Sequence, residues 1–160
     1  MPTVLIADDD ADHRELMTLA LARLGHDVVE ATDAESAQRA VDAGGIDAVL
    51  LDVRMPGASG IELCARLRAE PATAHLPIMV VSADVNHHRI LAALDAGADD
   101  YLTKPYQRAE LHHRVEMLLA RRGTTAAKPA TAATAALLAA RAAVSRGIPV
   151  PLPRPVRHTA

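Results

Sequence analysis

Residues 48–57 are Ala48-Val49-Leu50-Leu51-Asp52-Val53-Arg54-Met55-Pro56-Gly57, an apolar run that ends in one carboxylate followed by a turn. Four consecutive apolar residues before an acid are typical of a fully buried strand, because a strand covered on both faces shows no alternation. Asp52 would then stand at the carboxyl end of that strand, where open α/β sheets place their ligands. Taken alone, the same acid could equally be a helix cap or a loop residue.

The composition limits the class of protein. The chain has 160 residues, enough for one ordinary domain and an appendix, and its core must be aliphatic because it holds two Tyr and no Phe or Trp. The single cysteine, Cys64, excludes an intramolecular disulfide and fits a reducing compartment. No secretory signal pattern follows Met1, and no apolar run approaches the ~20 residues that a membrane span needs. We therefore expect a cytoplasmic protein that does not contact the membrane.

The formal net charge of −3 hides an asymmetry along the chain. Residues 1–116 hold all 20 Asp and Glu but only 10 Lys and Arg, a formal charge of −10, whereas the other seven basic residues follow Glu116. The end of the chain is rich in Ala and Pro, and its alternating prolines favour extended polyproline II over helix. We predict one domain over residues 1–122 and a basic tail over residues 123–160 that we expect to be disordered.

Strand-like and helix-like patterns alternate five times in the first domain. The apolar strand runs lie at residues 3–7, 26–31, 46–51, 78–81 and 101–103, each followed by a helical pattern. In the first helix we expect Asp12 to be the N-cap and Leu16, Leu19, Ala20 and Leu24 to form the apolar stripe. This alternation predicts an α/β fold with a doubly wound parallel sheet and helices on both faces. All the carboxyl ends of the strands then lie along one edge.

Polar residues occupy those carboxyl ends: Asp8, Asp9, Asp52, Ser82 and Lys104. Three carboxylates at one edge raise each other's pKa unless a cation lies among them, and oxygen ligands favour a hard divalent ion, which we predict to be Mg²⁺. Asp52 is then a candidate nucleophile that forms an aspartyl phosphate. The Ser82 hydroxyl and the Lys104 ammonium can bind phosphoryl oxygens. The set predicts a phosphoryl-accepting site.

Four motifs lie near the strand ends, at residues 4–10, 50–57 with Gly60, 80–83 and 96–105. They are separated by 43 residues from Asp9 to Asp52, 30 more to Ser82 and 22 more to Lys104. Over about residues 1–121 the chain thereby resembles the receiver domain of bacterial two-component response regulators. The resemblance implies a flavodoxin-like sheet of five parallel strands in the order 2-1-3-4-5.

The resemblance also implies a metal site around the phosphoacceptor. Asp52 matches the position of the phosphoacceptor and Asp9 that of a direct Mg²⁺ ligand, with Asp8 acting largely through water. The backbone carbonyl of Arg54 matches a further metal ligand. Arg54 itself, two residues after the phosphoacceptor, could shield an acyl phosphate from water or pair with Asp84.

A conformational switch is the second implication of the resemblance. Ser82 matches the switch hydroxyl, Tyr101 the switch aromatic and Lys104 the lysine that contacts the phosphoryl group, with Lys104-Pro105 expected as a cis bond. After phosphorylation, Ser82 would move inward and Tyr101 would follow, which changes the face formed by the fourth helix, the fifth strand and the fifth helix. That face would signal to a downstream protein target.

The partners implied are a sensor histidine kinase or a phosphotransfer protein, and a homodimer is left open. The protein would be a signalling phosphoacceptor and not an enzyme beyond self-phosphorylation from a donor and autodephosphorylation. Residues 123–160 contain no DNA-reading motif, so we expect no specific DNA binding. A different hypothesis makes the basic tail the effector, binding nucleic acid or an acidic partner.

Competing interpretations concern three further features. A phosphatase of the haloacid-dehalogenase type also uses an Asp nucleophile, but it needs a second Asp where this chain has Arg54. The pairs His87-His88 and His112-His113 suggest a metal site, yet adjacent residues on a helix point in different directions, which favours solvated surface. Cys64 lies between Leu63 and Leu67 and is expected to be a core residue.

Overall fold

The computed structural model describes residues 1–121, and strands and helices alternate throughout. The strands are β1 (Thr3–Ala7), β2 (Asp27–Ala31), β3 (Ala48–Leu51), β4 (Ile78–Ser82) and β5 (Asp100–Thr103). The helices are α1 (Ala11–Ala22), α2 (Ala34–Asp42), α3 (Gly60–Ala69), α4 (His87–Asp95) and α5 (Arg108–Ala120). None of these helices is long and apolar enough to cross a bilayer. The prediction of a disordered tail at 123–160 lies outside the described residues.

The five strands form one parallel sheet in the order β2-β1-β3-β4-β5. This confirms the fold class and the strand order expected from the sequence. Ala7 pairs with Leu51, Leu51 pairs with Val80, and Ser82 pairs with Thr103. Because these partners are the last or nearly the last residues of their strands, the polar residues that follow them meet at one edge.

Each face of the sheet buries its own aliphatic layer. On one face α2, α3 and α4 cover alternate strand residues that include Leu5, Val49 and Val80. On the other face α1 and α5 cover the intervening residues, which include Ile6 and Leu50. Successive strand side chains point to opposite faces, so strands that are covered on both sides must be apolar throughout. The unbroken runs of the central strands follow from this arrangement.

The start of α1 differs from the prediction. Asp10, not Asp12, is the N-cap, and its carboxylate accepts hydrogen bonds from the backbone N–H groups of Asp12 at 3.0 Å and His13 at 3.3 Å. The backbone N–H of Asp10 donates in turn to the Asp8 carboxylate at 2.9 Å. This tight turn directly after β1 starts the helix at Ala11.

The apolar stripe expected on α1 is confirmed for Ala20 and Leu24, which pack against the core, and wrong for Leu16 and Leu19. Leu16 and Leu19 are 65% and 49% exposed, whereas Met17 and Leu21 are buried against the sheet. Both pairs fit helical spacing, and the direction in which the helix leaves β1 decides which pair faces inward.

Candidate functional site

Three carboxylates meet where β1 and β3 end. Oxygen atoms of Asp8, Asp9 and Asp52 lie within 4.8 Å of one another. Asp8 and Asp52 are buried and Asp9 is exposed. The backbone N–H of Asp52 donates to the carbonyl of Ala7 at 2.9 Å, which extends the β1–β3 pairing by one residue and fixes the distance between the two acids. Hard oxygen donors with access to solvent on one side suit Mg²⁺, so the residues present fit the predicted ion.

Lys104 brings a positive charge to this cluster. Its Nζ atom lies 3.0 Å from Oδ2 of Asp8 and 3.0 Å from Oδ2 of Asp52. The lysine follows β5, where its backbone N–H donates to the carbonyl of Ser82 at 2.9 Å. The Lys104-Pro105 peptide bond is cis, as predicted. The structure thus brings together the five strand-end residues that the sequence placed at this edge.

The charges at this edge shift one another's pKa. Burial raises the pKa of Asp52, and the neighbouring Lys104 ammonium offsets only part of that effect. Burial acts in the same direction on Asp8, but hydrogen bonds from His13, the Asp10 N–H and Lys104 outweigh it and hold the pKa well below its usual range. Burial disfavours the Lys104 ammonium, yet the two carboxylates raise its pKa overall. Asp8 and Lys104 are therefore a charged pair beside Asp52 at neutral pH.

Ser82 and Tyr101 both contact the backbone of Asp84. The buried Ser82 Oγ accepts a hydrogen bond from the Asp84 N–H at 3.1 Å. The Tyr101 hydroxyl donates to the Asp84 carbonyl at 2.6 Å, and burial raises the pKa of Tyr101 to about 12. Tyr101 is 2% exposed, so the aromatic ring already lies inside in this structure. The two side chains thus hold the segment between β4 and α4 by hydrogen bonds to both the N–H and the carbonyl of Asp84.

The N-terminus of α3 packs directly on the end of β3. Ser59 caps the helix, and the Gly60 N–H donates to the carbonyl of Val53 at 3.0 Å. A Cβ atom on Gly60 would lie 2.0 Å from the carbonyl oxygen of Asp52. Glycine is needed here because two backbones approach each other too closely for any side chain.

Two residues beside Asp8 were missed by the sequence reasoning. Nδ1 of His13 lies 2.6 Å from Oδ2 of Asp8, and Nε2 of His13 lies 2.9 Å from the Tyr106 hydroxyl. The two rings meet edge to face, with centroids 5.6 Å apart. With Asp10 as the N-cap, His13 is the third residue of α1 and lies beside Asp8, whereas the predicted N-cap at Asp12 made it the first residue.

The remaining expectations have mixed outcomes. Arg54 has an exposed side chain, and Asp84 lies 3.8 Å from Arg89 instead of pairing with Arg54. Cys64 is fully buried, as predicted, and burial raises the pKa of its thiol to about 11. The histidine pairs are exposed on α4 and α5. Within residues 1–121, Asp8, Asp9 and Asp52 form the single group of three or more potential metal ligands.

Comparison with known sequences identifies one family. The model of the response regulator receiver domain matches residues 4–116. The phosphate regulon transcriptional regulatory protein PhoB of Pseudomonas aeruginosa is 38% identical over 121 residues, which are 76% of this chain and 53% of that protein. The transcriptional regulatory protein TcrA of Mycobacterium tuberculosis is 42% identical over 120 residues, 75% of this chain and 46% of TcrA. The chain thus spans about half the length of these relatives.

Solved structures agree with the fold. The receiver domain of Francisella response regulator 1452 has a TM-score of 0.70 and 32% identity, covering 76% of this chain and 98% of that one. The response regulator TrrA of Thermotoga maritima, crystallised in complex with Mg²⁺-BeF, has a TM-score of 0.67 and 31% identity, covering 74% of this chain and 99% of that one.

The expectation of no specific DNA binding is contradicted by the relatives. PhoB and TcrA are transcriptional regulatory proteins, and RpaA of Synechocystis, 36% identical over 76% of this chain and 50% of its own length, is a DNA-binding transcriptional regulator. The expectation relied on the lack of a DNA-reading motif after residue 122. Because the chain matches only about half the length of these relatives, the lack of such a motif does not exclude DNA binding.

Proposed function

The chain belongs to the response regulator receiver domain family, and from this premise we propose that Asp52 accepts a phosphoryl group in a two-component His-to-Asp phosphorelay. The donor would be a sensor histidine kinase or a phosphotransfer protein. The observation that carries the proposal is the pairing of a buried carboxylate, Asp52, with the ammonium of Lys104 at 3.0 Å beside two further acids. Carboxylates of this kind form aspartyl phosphates.

Each residue of the cluster has a distinct part in this proposal. Asp52 is the nucleophile, and the Arg54 N–H at 3.2 Å orients its carboxylate. Lys104 would bind the incoming phosphoryl oxygens as a point charge. Asp8, Asp9, Asp52 and the Arg54 carbonyl would hold Mg²⁺, which supplies positive charge that offsets the charge of the phosphoryl group and the acid. The Mg²⁺-BeF complex of the related TrrA supports this assignment.

The hydrogen bonds of Ser82 and Tyr101 to the backbone of Asp84 connect the site to the segment before α4. If the Ser82 hydroxyl turns towards a phosphoryl oxygen, the Asp84 N–H loses its acceptor and the segment before α4 is released on one side. Tyr101 holds the carbonyl of the same residue, so its position is coupled to that of Ser82. The outcome would be a population shift between two states. Because the relatives PhoB and TcrA are transcriptional regulatory proteins, transcriptional control is the output class to test first.

Phosphoryl transfer from radiolabelled acetyl phosphate tests the proposal directly. With Mg²⁺ present, the wild-type chain should incorporate label and Asp52→Asn should not, since an amide cannot form the acyl phosphate. The matched control is Asp95→Asn, which makes the same change at an exposed position on α4 and should label normally. Chelation of Mg²⁺ should suppress labelling. Undiminished labelling of Asp52→Asn would overturn the assignment.

A further inference from the structure

His13 and Tyr106 form a chain of hydrogen bonds that ends on a proposed metal ligand. We propose that His13, held by Tyr106, is a positioning residue that fixes the Asp8 carboxylate for Mg²⁺ and thereby sets the affinity of the site for Mg²⁺. The inference rests on the Mg²⁺ site of the proposed function and extends it to two residues outside the four sequence motifs and the cluster of acids.

For the neutral His13 ring, the hydrogen-bond chain has one consistent direction. An ionised carboxylate can only accept, so the Nδ1 atom that lies 2.6 Å from Asp8 Oδ2 must carry its proton. In the neutral ring Nε2 is then an acceptor, and the Tyr106 hydroxyl donates to it across 2.9 Å. Burial raises the pKa of Tyr106, so this hydroxyl keeps its proton. Asp8 and Tyr106 therefore favour the same tautomer of His13, the one that donates to Asp8.

The Asp8 carboxylate is held on both oxygens. Oδ1 accepts from the Asp10 N–H at 2.9 Å, and Oδ2 contacts both His13 and Lys104. With 1% of Asp8 exposed, water cannot replace these partners without a local rearrangement. A carboxylate that is already ordered loses little entropy when it binds an ion.

Hydrogen-bonded partners of metal ligands orient those ligands, and their removal typically costs about 10–100-fold in metal affinity. Lys104 cannot replace His13 in this respect, because its Nζ lies equally close to Asp52 and would follow a phosphoryl group there. His13 contacts Asp8, and its backbone N–H donates to the Asp10 carboxylate that caps α1. It therefore holds Asp8 independently of the state of Asp52.

Titration of the full chain with MgCl₂, followed by backbone amide chemical shifts, tests the inference. We expect the Mg²⁺ dissociation constant to rise about tenfold in His13→Ala and several-fold in Tyr106→Phe. The double variant should bind no more weakly than His13→Ala, because Tyr106 acts only through His13. His13→Asn keeps a donor close to the position of Nδ1 and should restore most of the affinity, without sensitivity to Tyr106→Phe. His112→Ala, an exposed histidine on α5, should match the wild type.

A second readout distinguishes positioning from general stability. Long-range ¹H–¹⁵N correlation of the imidazole should show the Nδ1–H tautomer of His13 in the wild type and a smaller share of it in Tyr106→Phe. Additive losses in the double variant, unchanged affinity in Tyr106→Phe, or unchanged or tighter binding in His13→Ala would each overturn the inference while the wild type still binds Mg²⁺. Failure of the wild type to bind Mg²⁺ would instead overturn the proposed metal site, and the inference with it.

Discussion

Replacing Gly60 by alanine should disturb the end of β3, where Asp52 is held. The added Cβ would lie 2.0 Å from the carbonyl oxygen of Asp52, 2.8 Å from its carbonyl carbon and 3.3 Å from Cα of Val53. All three atoms belong to the backbone, so no side-chain rotation can relieve the overlap. The Gly60 N–H also donates to the carbonyl of Val53 at 3.0 Å, which ties α3 to this segment.

The size of the effect follows from the overlap. Cβ atoms essentially never come within 3.0 Å of such atoms, so α3 and the end of β3 must separate by about 1 Å. Overpacking of this kind costs about 1–3 kcal/mol of unfolding free energy. Because the overlapping atoms belong to the backbone and cannot rotate away, we expect a loss of about 3 kcal/mol for Gly60→Ala. Domains are stable by about 5–15 kcal/mol, so the variant should still fold. A misplacement of about 1 Å at a reacting group can reduce the rate about 100-fold.

Urea unfolding and the initial rate of labelling by acetyl phosphate measure the two effects in one preparation. The control is Gly44→Ala, because Gly44 has φ +82° and no heavy atom within 4 Å of an added Cβ. Gly44→Ala should lower the free energy of unfolding by about 1–2 kcal/mol because of backbone strain, and it should be labelled at the wild-type rate. If Gly60→Ala unfolds at the wild-type urea midpoint, or labels as fast as Gly44→Ala, close backbone approach does not fix Asp52.

Three further predictions concern residues around the site and the far edge of the sheet. Arg68 donates hydrogen bonds to carbonyls of the α3–β4 and α4–β5 connections and to one carboxylate, so Arg68→Ala should lower the free energy of unfolding by about 2–3 kcal/mol. In the exposed control Arg66→Ala, the loss should stay within about 0.5 kcal/mol. Equal losses in the two variants would contradict a stabilising role of this hydrogen-bond network. Arg54→Ala should shorten the phosphoryl half-life on the acceptor, since an exposed guanidinium beside it no longer excludes water; an identical half-life would refute that role. Absorbance at 295 nm should show no tyrosinate in the folded protein near pH 10, because burial raises the pKa of Tyr101 to about 12 and that of Tyr106 as well. As the unfolded chain ionises near pH 10, the free energy of unfolding falls from pH 10 upwards, and a transition near pH 10 in the native protein would contradict the burial.

The clustering of the strand-end residues was predictable because one topological rule determines it. Parallel strands joined by right-handed crossovers place every carboxyl end on one edge, so apolar runs that stop at Asp8, Asp52 and Lys104 already imply a cluster. The prediction needed no knowledge of side-chain geometry. Its confirmation comes from backbone pairing, in which Asp52 N–H to Ala7 and Lys104 N–H to Ser82 continue the ladder beyond the strands.

The contacts within the first turn of α1 were not predictable in the same way. Asp10 and Asp12 are equally good N-caps by residue type, and the choice depends on the turn in which the Asp8 carboxylate accepts the Asp10 N–H. The buried face of the helix is displaced as well, because Met17 and Leu21 join Ala20 and Leu24 against the sheet while Leu16 and Leu19 are exposed. In the observed first turn, His13 is the third residue of α1 and its ring reaches the carboxylate of Asp8.

Asp8 and Asp52 are neighbouring acids of the same type with opposite pKa shifts, and that difference supports the division of their roles. Asp8 is bound on both oxygens, with its pKa held low by His13, the Asp10 N–H and Lys104 against the effect of burial. The Asp52 carboxylate accepts from one backbone N–H, that of Arg54, and shares the Lys104 ammonium with Asp8, and burial raises its pKa. Both roles need an ionised carboxylate, but a nucleophile must also keep a lone pair that is not engaged elsewhere. Exchanging the two roles would require the more tightly bound carboxylate to attack, which is why Asp52 rather than Asp8 is the acceptor that the contacts favour.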